Sequence, residues 1–233
     1  MTRVCAIIPA AGKGIRAGEE EPKQFRMLGD YPLIAWGAFA LTSVEDIKML
    51  VVGAPESNVG KTASMVEPVK REAELVVVPG GKERQETVSI CLDAAGDGWD
   101  AVVIHDAARP FVTSDLIRRT IEAAIKHGAA TAAVRPSDTV RQDGGGNLER
   151  EKLWLVQTPQ AFRPEVIRDA HEAAKKRGIT GTDDAGLAEM AGHKVAMVEG
   201  HPWNFKITTP DDWLTAEALT HACGVAPAGT KKR

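Results

Sequence analysis

The chain has 233 residues, 43% of them hydrophobic, and a formal net charge of −3 from 29 basic and 32 acidic residues. That length buries one sizeable core, and the near-balance of charge excludes the global field that draws nucleic acid or an acidic membrane, so any anion site is local. Three cysteines, Cys5, Cys91 and Cys223, lack the paired spacing of zinc ligands and read as buried reduced thiols, which suits the cytoplasm.

The N-terminus enters a buried-strand pattern after three residues, because Val4-Cys5-Ala6-Ile7-Ile8 is apolar and partly β-branched. No signal peptide fits ahead of it and no apolar run approaches a membrane span, so a cytoplasmic protein is expected. The run ends in Pro9-Ala10-Ala11-Gly12-Lys13-Gly14-Ile15-Arg16, followed by Pro22-Lys23-Gln24-Phe25. Glycines after a strand let bare backbone N–H groups approach an anion. Arg16 then offers a planar fork of donors, and Lys23 a compact charge, to the oxygens of a polyphosphate. The pattern is neither a P-loop nor a complete Gly-x-Gly-x-x-Gly, and a tight strand-to-helix turn with solvated cations is the other reading of the same residues.

Further strands are predicted over residues 47–52, 75–78, 101–105 and 129–134, with helices over 32–41, 56–72, 83–95 and 114–127 between them. The last of these helices takes Ser114 as its N-cap and Gly128 as its stop. Such a βαβ series predicts an open, doubly wound, mostly parallel sheet of the Rossmann-like α/β class, which binds ligands outside the carboxyl ends of its strands. The rhythm breaks near 135–157, where two extended arms flank the glycine turn Asp143-Gly144-Gly145-Gly146-Asn147. A hairpin of that kind is marginal alone, so it either folds back on its own domain or packs on a second subunit. Helices follow over 164–177 and 183–191, strands over 194–198 and 204–207, and a helix over 210–222. The expectation is one domain over 1–223 with a β-arm at about 136–157, and a flexible tail over 224–233.

Four more segments bear on chemistry. Gly80-Gly81-Lys82-Glu83-Arg84 stands between a strand and a helix and can turn backbone groups towards a base or phosphate. His105-Asp106-Ala107-Ala108-Arg109-Pro110 ends a strand, where a carboxylate can face a metal-bound polyphosphate, although Asp106 also suits an ordinary turn. Gln157-Thr158-Pro159-Gln160 and Gly181-Thr182-Asp183-Asp184 offer hydroxyls beside helix starts, where N-capping is the plainer account. Asn204-Phe205-Lys206-Ile207-Thr208 carries a lone lysine in an apolar strand pattern, a position that normally faces solvent.

Taken in order, the motifs Pro-Ala-Ala-Gly-x-Gly-x-Arg, Pro-Lys-Gln, Gly-Gly-x-Glu-Arg, His-Asp-Ala-Ala-Arg-Pro, Thr-Pro-Gln, Thr-Asp-Asp and Asn-x-Lys-Ile-Thr resemble those of 2-C-methyl-D-erythritol 4-phosphate cytidylyltransferases, enzymes of non-mevalonate isoprenoid synthesis. The resemblance spans roughly residues 4–219. It implies a nucleotidyltransferase-type fold with a projecting hairpin arm. It also implies transfer of CMP from CTP to methylerythritol phosphate, with Mg²⁺ or another divalent cation. The chain stops soon after its last helix, so the cyclodiphosphate synthase domain fused to some relatives is not expected.

Carried over residue by residue, the resemblance makes Arg16, Lys23 and Lys206 the catalytic cations. Pro9, Ala10, Ala11, Gly12, Gly81, Thr87, Asp106 and Ala107 would bind the nucleotide, with Asp106 also the possible metal ligand. Arg109, Thr139, Arg150, Thr158 and Thr182 would grip the sugar phosphate. The family's arm exchanges across a homodimer, so Thr139 and Arg150 would serve the partner's site. No nucleic-acid or membrane partner is implied. Thr87 stands where the family usually has serine, and Lys13 adds an extra loop cation.

The chemistry agrees with these residue types. A phosphate monoester is already a nucleophile at neutral pH, so neither a histidine base nor a covalent serine is needed, and charge neutralisation is. A ribitol 5-phosphate or other polyol-phosphate cytidylyltransferase is the nearest alternative. Ribitol relatives tend to read Ala-Gly-Gly and Asp-Ala-Val-Arg-Pro where this chain has Ala10-Ala11-Gly12 and Asp106-Ala107-Ala108-Arg109. A non-catalytic nucleotide-binding module is another alternative, against which Lys23 and Lys206 argue. A flavodoxin-like carrier lacks its aromatic pair.

Overall fold

Alternating burial along the first strand builds the molecule. In the computed structural model, β1 (Val4–Pro9) sends Val4, Ala6 and Ile8 to one face of a sheet and Cys5 and Ile7 to the other, all of them fully buried. The structure describes residues 2–12 and 22–223, and only the backbone of 222 and 223. Lys13 and Arg16 of the first loop, the Cys223 side chain and the tail 224–233 lie outside the described residues.

After a small hairpin of β2 (Met27–Leu28) and β3 (Tyr31–Pro32) come α1 (Leu33–Thr42), β4 (Ile47–Ala54), α2 (Val59–Val66), β5 (Glu74–Pro79), α3 (Arg84–Ala95), β6 (Ala101–Ile104), α4 (Ser114–His127), β7 (Ala129–Val134), β8 (Leu155–Phe162), α5 (Pro164–Arg177), α6 (Asp184–Met190), β9 (Ala196–Glu199) and α7 (Pro210–Cys223). Seven strands form one sheet in the order β5-β4-β1-β6-β8-β7-β9. The sheet is parallel except for β8, which runs antiparallel to both β6 and β7. Helices α1, α2 and α4 cover one face through Ile34, Leu41, Val66, Ile117 and Ile121. Helices α3, α5 and α6 cover the other through Val88, Leu92, Ile167 and Leu187. The doubly wound α/β architecture expected from the strand and helix alternation is therefore the one found. Burying a Leu or Ile side chain stabilises by roughly 1.5–3 kcal/mol, so these two apolar layers supply most of the drive to fold.

Several local expectations are corrected. Thr113, not Ser114, caps α4, accepting from the Leu116 N–H at 3.2 Å, while Gly128 at φ 97° ends it as expected. The predicted helix over 56–72 is α only over Val59–Val66, and Pro68 sits in the 3₁₀ turn Glu67–Val69 that finishes it. The arm is not a hairpin ladder. Arg141 and Asn147 form its isolated bridge, and its return half turns through a 3₁₀ helix at Arg150–Lys152 before entering β8.

Strand β8 takes over 157–160, where the sequence pattern suggests a loop beside a helix. Pro159 has no N–H for a ladder, and the β7 pairing shifts around it, passing from Thr131↔Gln160 to Ala133↔Val156. The predicted strand over 204–207 is absent. Instead the segment crosses the carboxyl edge of the sheet, where the Asn204 amide donates to Thr158 O at 2.8 Å and the Ile207 N–H donates to Ala108 O at 2.9 Å.

Candidate active site

The loops after β1, β5 and β6 converge at the carboxyl ends of their strands, where doubly wound sheets place ligands. The first loop is held open by a side chain. Gln24 is buried in the 3₁₀ turn Lys23–Phe25, and its amide donates to Ala10 O at 2.7 Å and Gly12 O at 3.1 Å. Pro9, Ala10, Ala11 and Gly12 then line one wall of a cleft. Lys82, Glu83, Arg84 and Thr87 line a second wall, with the buried Asp106 and Ala107 at the floor and Lys23 and the more exposed Lys206 at the rim.

The second wall is shaped by close contacts. Thr87 Oγ donates to Glu83 O at 3.0 Å and accepts from the Gly81 N–H at 3.1 Å, so the Gly81 donor is spent within the turn. The extra methyl that distinguishes Thr87 from a serine sits where glycines leave room. A Cβ on Gly53 would lie 2.3 Å from Thr87 Cγ2, and one on Gly80 would lie 2.3 Å from Ala11 Cβ and 2.8 Å from that methyl.

Asp106 is the electrostatic centre. Its Oδ1 accepts from Arg84 Nε at 3.1 Å, its Oδ2 accepts from Lys206 Nζ at 2.9 Å, and Arg109 Nε lies 3.9 Å away. Burial pushes this carboxyl up, but Arg84, then Lys206, then Arg109 more than offset it, and Asp106 is held well below the usual carboxylate range. It is ionised at every physiological pH. Lys23 Nζ donates to Ile207 O at 2.6 Å, which ties the first-loop lysine to the segment that carries Lys206.

Behind the floor, Thr158 Oγ accepts from the Asp106 N–H at 3.0 Å and lies 3.0 Å from His105 Nδ1. That hydroxyl therefore donates to Nδ1, which leaves the Nε2–H of His105 to donate to Arg109 O at 2.9 Å. Thr158 is buried, and in the structure its hydroxyl supports the backbone of Asp106 from beneath. Burial, helped by the Arg109 and Arg84 charges, outweighs the hydrogen bond to the Arg109 carbonyl and the Asp106 charge and pushes His105 down from 6.5 to about 4.

A pH prediction follows from that shift. Unfolded His105 takes up a proton near pH 6.5 and the folded ring only near pH 4. The unfolded state thus binds more protons in that window, and stability falls as pH drops from 6.5 towards 4 by an amount of order 3 kcal/mol. Denaturant midpoints at pH 7 and pH 5 measure it, and His105→Gln should lose less between them. Equal losses in both proteins would remove His105 as the cause.

The other expected site residues lie outside the lining of the cleft. Arg109 is mostly buried and donates Nη1 to Asn204 O at 2.9 Å; its Nε is buried without a hydrogen-bond partner. Thr139 and Arg150 lie exposed on the arm, and Arg150 donates to Ser137 O at 3.1 Å. Thr182 lies just before Asp183, whose carboxylate caps α6 by accepting from the Gly186 N–H. None of these four is among the residues lining the cleft.

Two contributors carry no role in the sequence reading. Gln24 stands there only as part of a motif, and Arg84 belongs to a segment whose role falls to its backbone. A cation at the first position of a helix opposes the helix dipole, and that is the available sign that a carboxylate faces it.

Among the described residues, no three His, Cys, Asp or Glu side chains cluster as a ready-made metal site. A divalent cation that brings phosphate and water ligands of its own needs only one or two carboxylates. Asp106 fits that need, since a carboxylate has about four acceptor positions and Arg84 and Lys206 hydrogen-bond to two. The Cys5 and Cys91 thiols are free and buried, each pushed up to about 12 by that burial, and so are not nucleophiles.

A backbone cradle facing a cluster of cations can bring the phosphates of a nucleoside triphosphate against a second anion, and that is the work of a nucleotidyltransferase. The model of the 2-C-methyl-D-erythritol 4-phosphate cytidylyltransferase family matches residues 4–222. The enzyme of that description from Pelotomaculum thermopropionicum is 40% identical over 228 residues, 95% of this chain and 96% of its own length. The solved structure of the Thermus thermophilus enzyme is 36% identical, with a TM-score of 0.78, covering 95% of this chain and 100% of that chain. The 4-diphosphocytidyl-2C-methyl-D-erythritol synthase from Anaerococcus prevotii has a TM-score of 0.83 at 27% identity, covering 94% of this chain and 96% of that chain. The chain belongs to the 2-C-methyl-D-erythritol 4-phosphate cytidylyltransferase family.

Proposed function

We propose that this cleft performs the family's reaction with the residue roles that follow. The activity itself, transfer of CMP from CTP to 2-C-methyl-D-erythritol 4-phosphate with release of pyrophosphate in isoprenoid biosynthesis, rests on family membership over nearly the whole chain. The observation that carries the roles is the meeting of Lys23, Arg84 and Lys206 with Asp106 at one cradle.

The base and ribose of CTP lie against Pro9 to Gly12, Gly81, Thr87 and Ala107. Lys23, with Arg16 outside the described residues, grips the triphosphate. Lys206 exchanges its bond to Asp106 for the incoming phosphate monoester, whose oxygen attacks the α-phosphorus in line as pyrophosphate departs. The cations stabilise charge on the equatorial oxygens, where oriented donors gain most from a water-poor site. Asp106 would hold the divalent cation, which when bound supplies further charge neutralisation along the triphosphate. Arg109 and Thr182, with Thr139 and Arg150 from a second subunit's arm, hold the sugar phosphate.

The arm supports a homodimer because Leu148, Leu155 and Val156 expose large apolar side chains there. Sedimentation at the mass of one chain would remove that part. Among the described residues no helix is long and apolar enough to cross a membrane, and the two buried free thiols suit a cytoplasmic setting.

The decisive measurement is pyrophosphate release with CTP, Mg²⁺ and either methylerythritol phosphate or ribitol phosphate. Turnover with methylerythritol phosphate is expected, and turnover with ribitol phosphate alone would overturn the reading.

A further inference from the structure

Arg84 opens α3 with its guanidinium spread between two carboxylates that lie far apart in sequence. While Nε reaches Asp106, Nη1 donates to Asp184 Oδ2 at 2.7 Å. Asp184 is fully buried and is fixed from several sides. Its N–H donates to Gln160 Oε1 on β8 at 3.1 Å, and its Oδ1 lies 3.0 Å from Nε2 of the buried His171 on α5. Gln160 in turn bonds Thr131 on β7 and Asp183 beside α6. The back of Arg84 is thus anchored to a network that reaches α5, α6, β7 and β8.

The three cations around Asp106 are not equivalent. Lys206 has a side chain 40% exposed and can swing to a ligand. Arg109 stands too far from Asp106 for a hydrogen bond. Arg84 cannot leave without abandoning a buried aspartate, and its Nη2 is already buried without a partner. A planar fork spans two acceptors at once, whereas an ammonium is a single point.

We propose that Arg84 is the positioning residue of the nucleotide site: pinned from behind by Asp184, it holds the Asp106 carboxylate at the floor of the cleft while Lys206 exchanges onto substrate phosphate. This rests on the cleft being the CTP site. The bridge makes CTP affinity depend on a residue, Asp184, that does not line the cleft.

Calorimetric titration of the full chain with CTP tests it. Arg84→Gln should raise the CTP Kd about 10-fold or more, a loss of the order seen when a charged hydrogen bond is removed, with the stoichiometry per chain unchanged. Arg84→Lys should not restore binding, and Asp184→Asn should weaken it in the same direction. The double variant should be no weaker than Arg84→Gln, since both act through one bridge. A merely structural arginine would lower the stoichiometry and leave Kd at the wild-type value, and that result would overturn the proposal, as would additive losses. Should the Arg84 variants fail to fold, an unchanged Kd in Asp184→Asn overturns it alone. Failure of the unmodified chain to bind CTP would remove the site reading and this proposal together.

Discussion

Lys23→Ala is expected to lower turnover by ~10²-fold or more, the loss typical of deleting one oriented donor to a charge that develops in the transition state. Both reactants are anions, so every cation removed from the cradle restores repulsion that the barrier must absorb. Lys23 does this at the point where two chain segments join, because its Nζ donates to Ile207 O and the neighbouring Lys206 bonds Asp106. The substitution removes the charge and the tie together. Lys206→Ala should act in the same direction, while leaving Asp106 bonded to Arg84. The turnover number, followed as pyrophosphate release, should fall with thermal stability little changed, since Lys23 lies in a short turn at the cleft rim. Near-normal turnover in Lys23→Ala would refute the assignment, and the same holds for Arg16→Ala.

Gly53→Ala is the second large effect. Its Cβ would fall 2.3 Å from Thr87 Cγ2 and 3.0 Å from Cys91 Sγ, all inside the close-packed seam between β4 and α3. Overpacking of that kind costs about 1–3 kcal/mol, and relief by moving α3 would shift Thr87 and with it the Gly81 turn. Gly53→Ala should therefore lower both the melting temperature and CTP affinity. Thr87→Ser removes the colliding methyl and keeps the hydroxyl, so the double variant should recover most of both losses. Gly80→Ala is the control. There Ala11 Cβ also obstructs, at 2.3 Å, and Thr87→Ser should rescue it only in part. Equal rescue of the two glycine variants would show that Thr87 is not the obstruction.

These contacts mark the boundary between what is readable along the chain and what is not. Strands β1, β4, β5, β6 and β7 are legible because each is a short, largely apolar run packed between helical layers, so burial and backbone preference point the same way. Strand β8 is not. Its Gln157, Thr158 and Gln160 are polar yet buried, and their burial is tolerable only because Asn204, His105, Thr131, Asp183 and the α6 backbone supply partners. Polar residues read as loop until those partners are known. The error over 204–207 has the opposite sign, an apolar run that packs Ile207 into a satellite core with Trp36 and Trp213 without joining the sheet.

In the site, Lys23 and the glycine-bearing turns can be picked out from residue type and order, Lys206 only through the family resemblance, and Arg84 by neither. The pairings of these cations cannot be picked out, since Lys23 meets a carbonyl 184 residues away and Arg84 an aspartate 100 residues away. The amino-acid sequence by itself determined the layered α/β class and the edge of the sheet that carries the cleft, because strand burial, turns and charge are written locally. Only the tertiary structure decided that Asp106 is shared by Arg84 and Lys206, that the Thr158 hydroxyl supports the Asp106 backbone, and that Thr87 occupies space left by two glycines. Those outcomes depend on distances between distant segments, which packing of both faces of the sheet sets and no local pattern encodes.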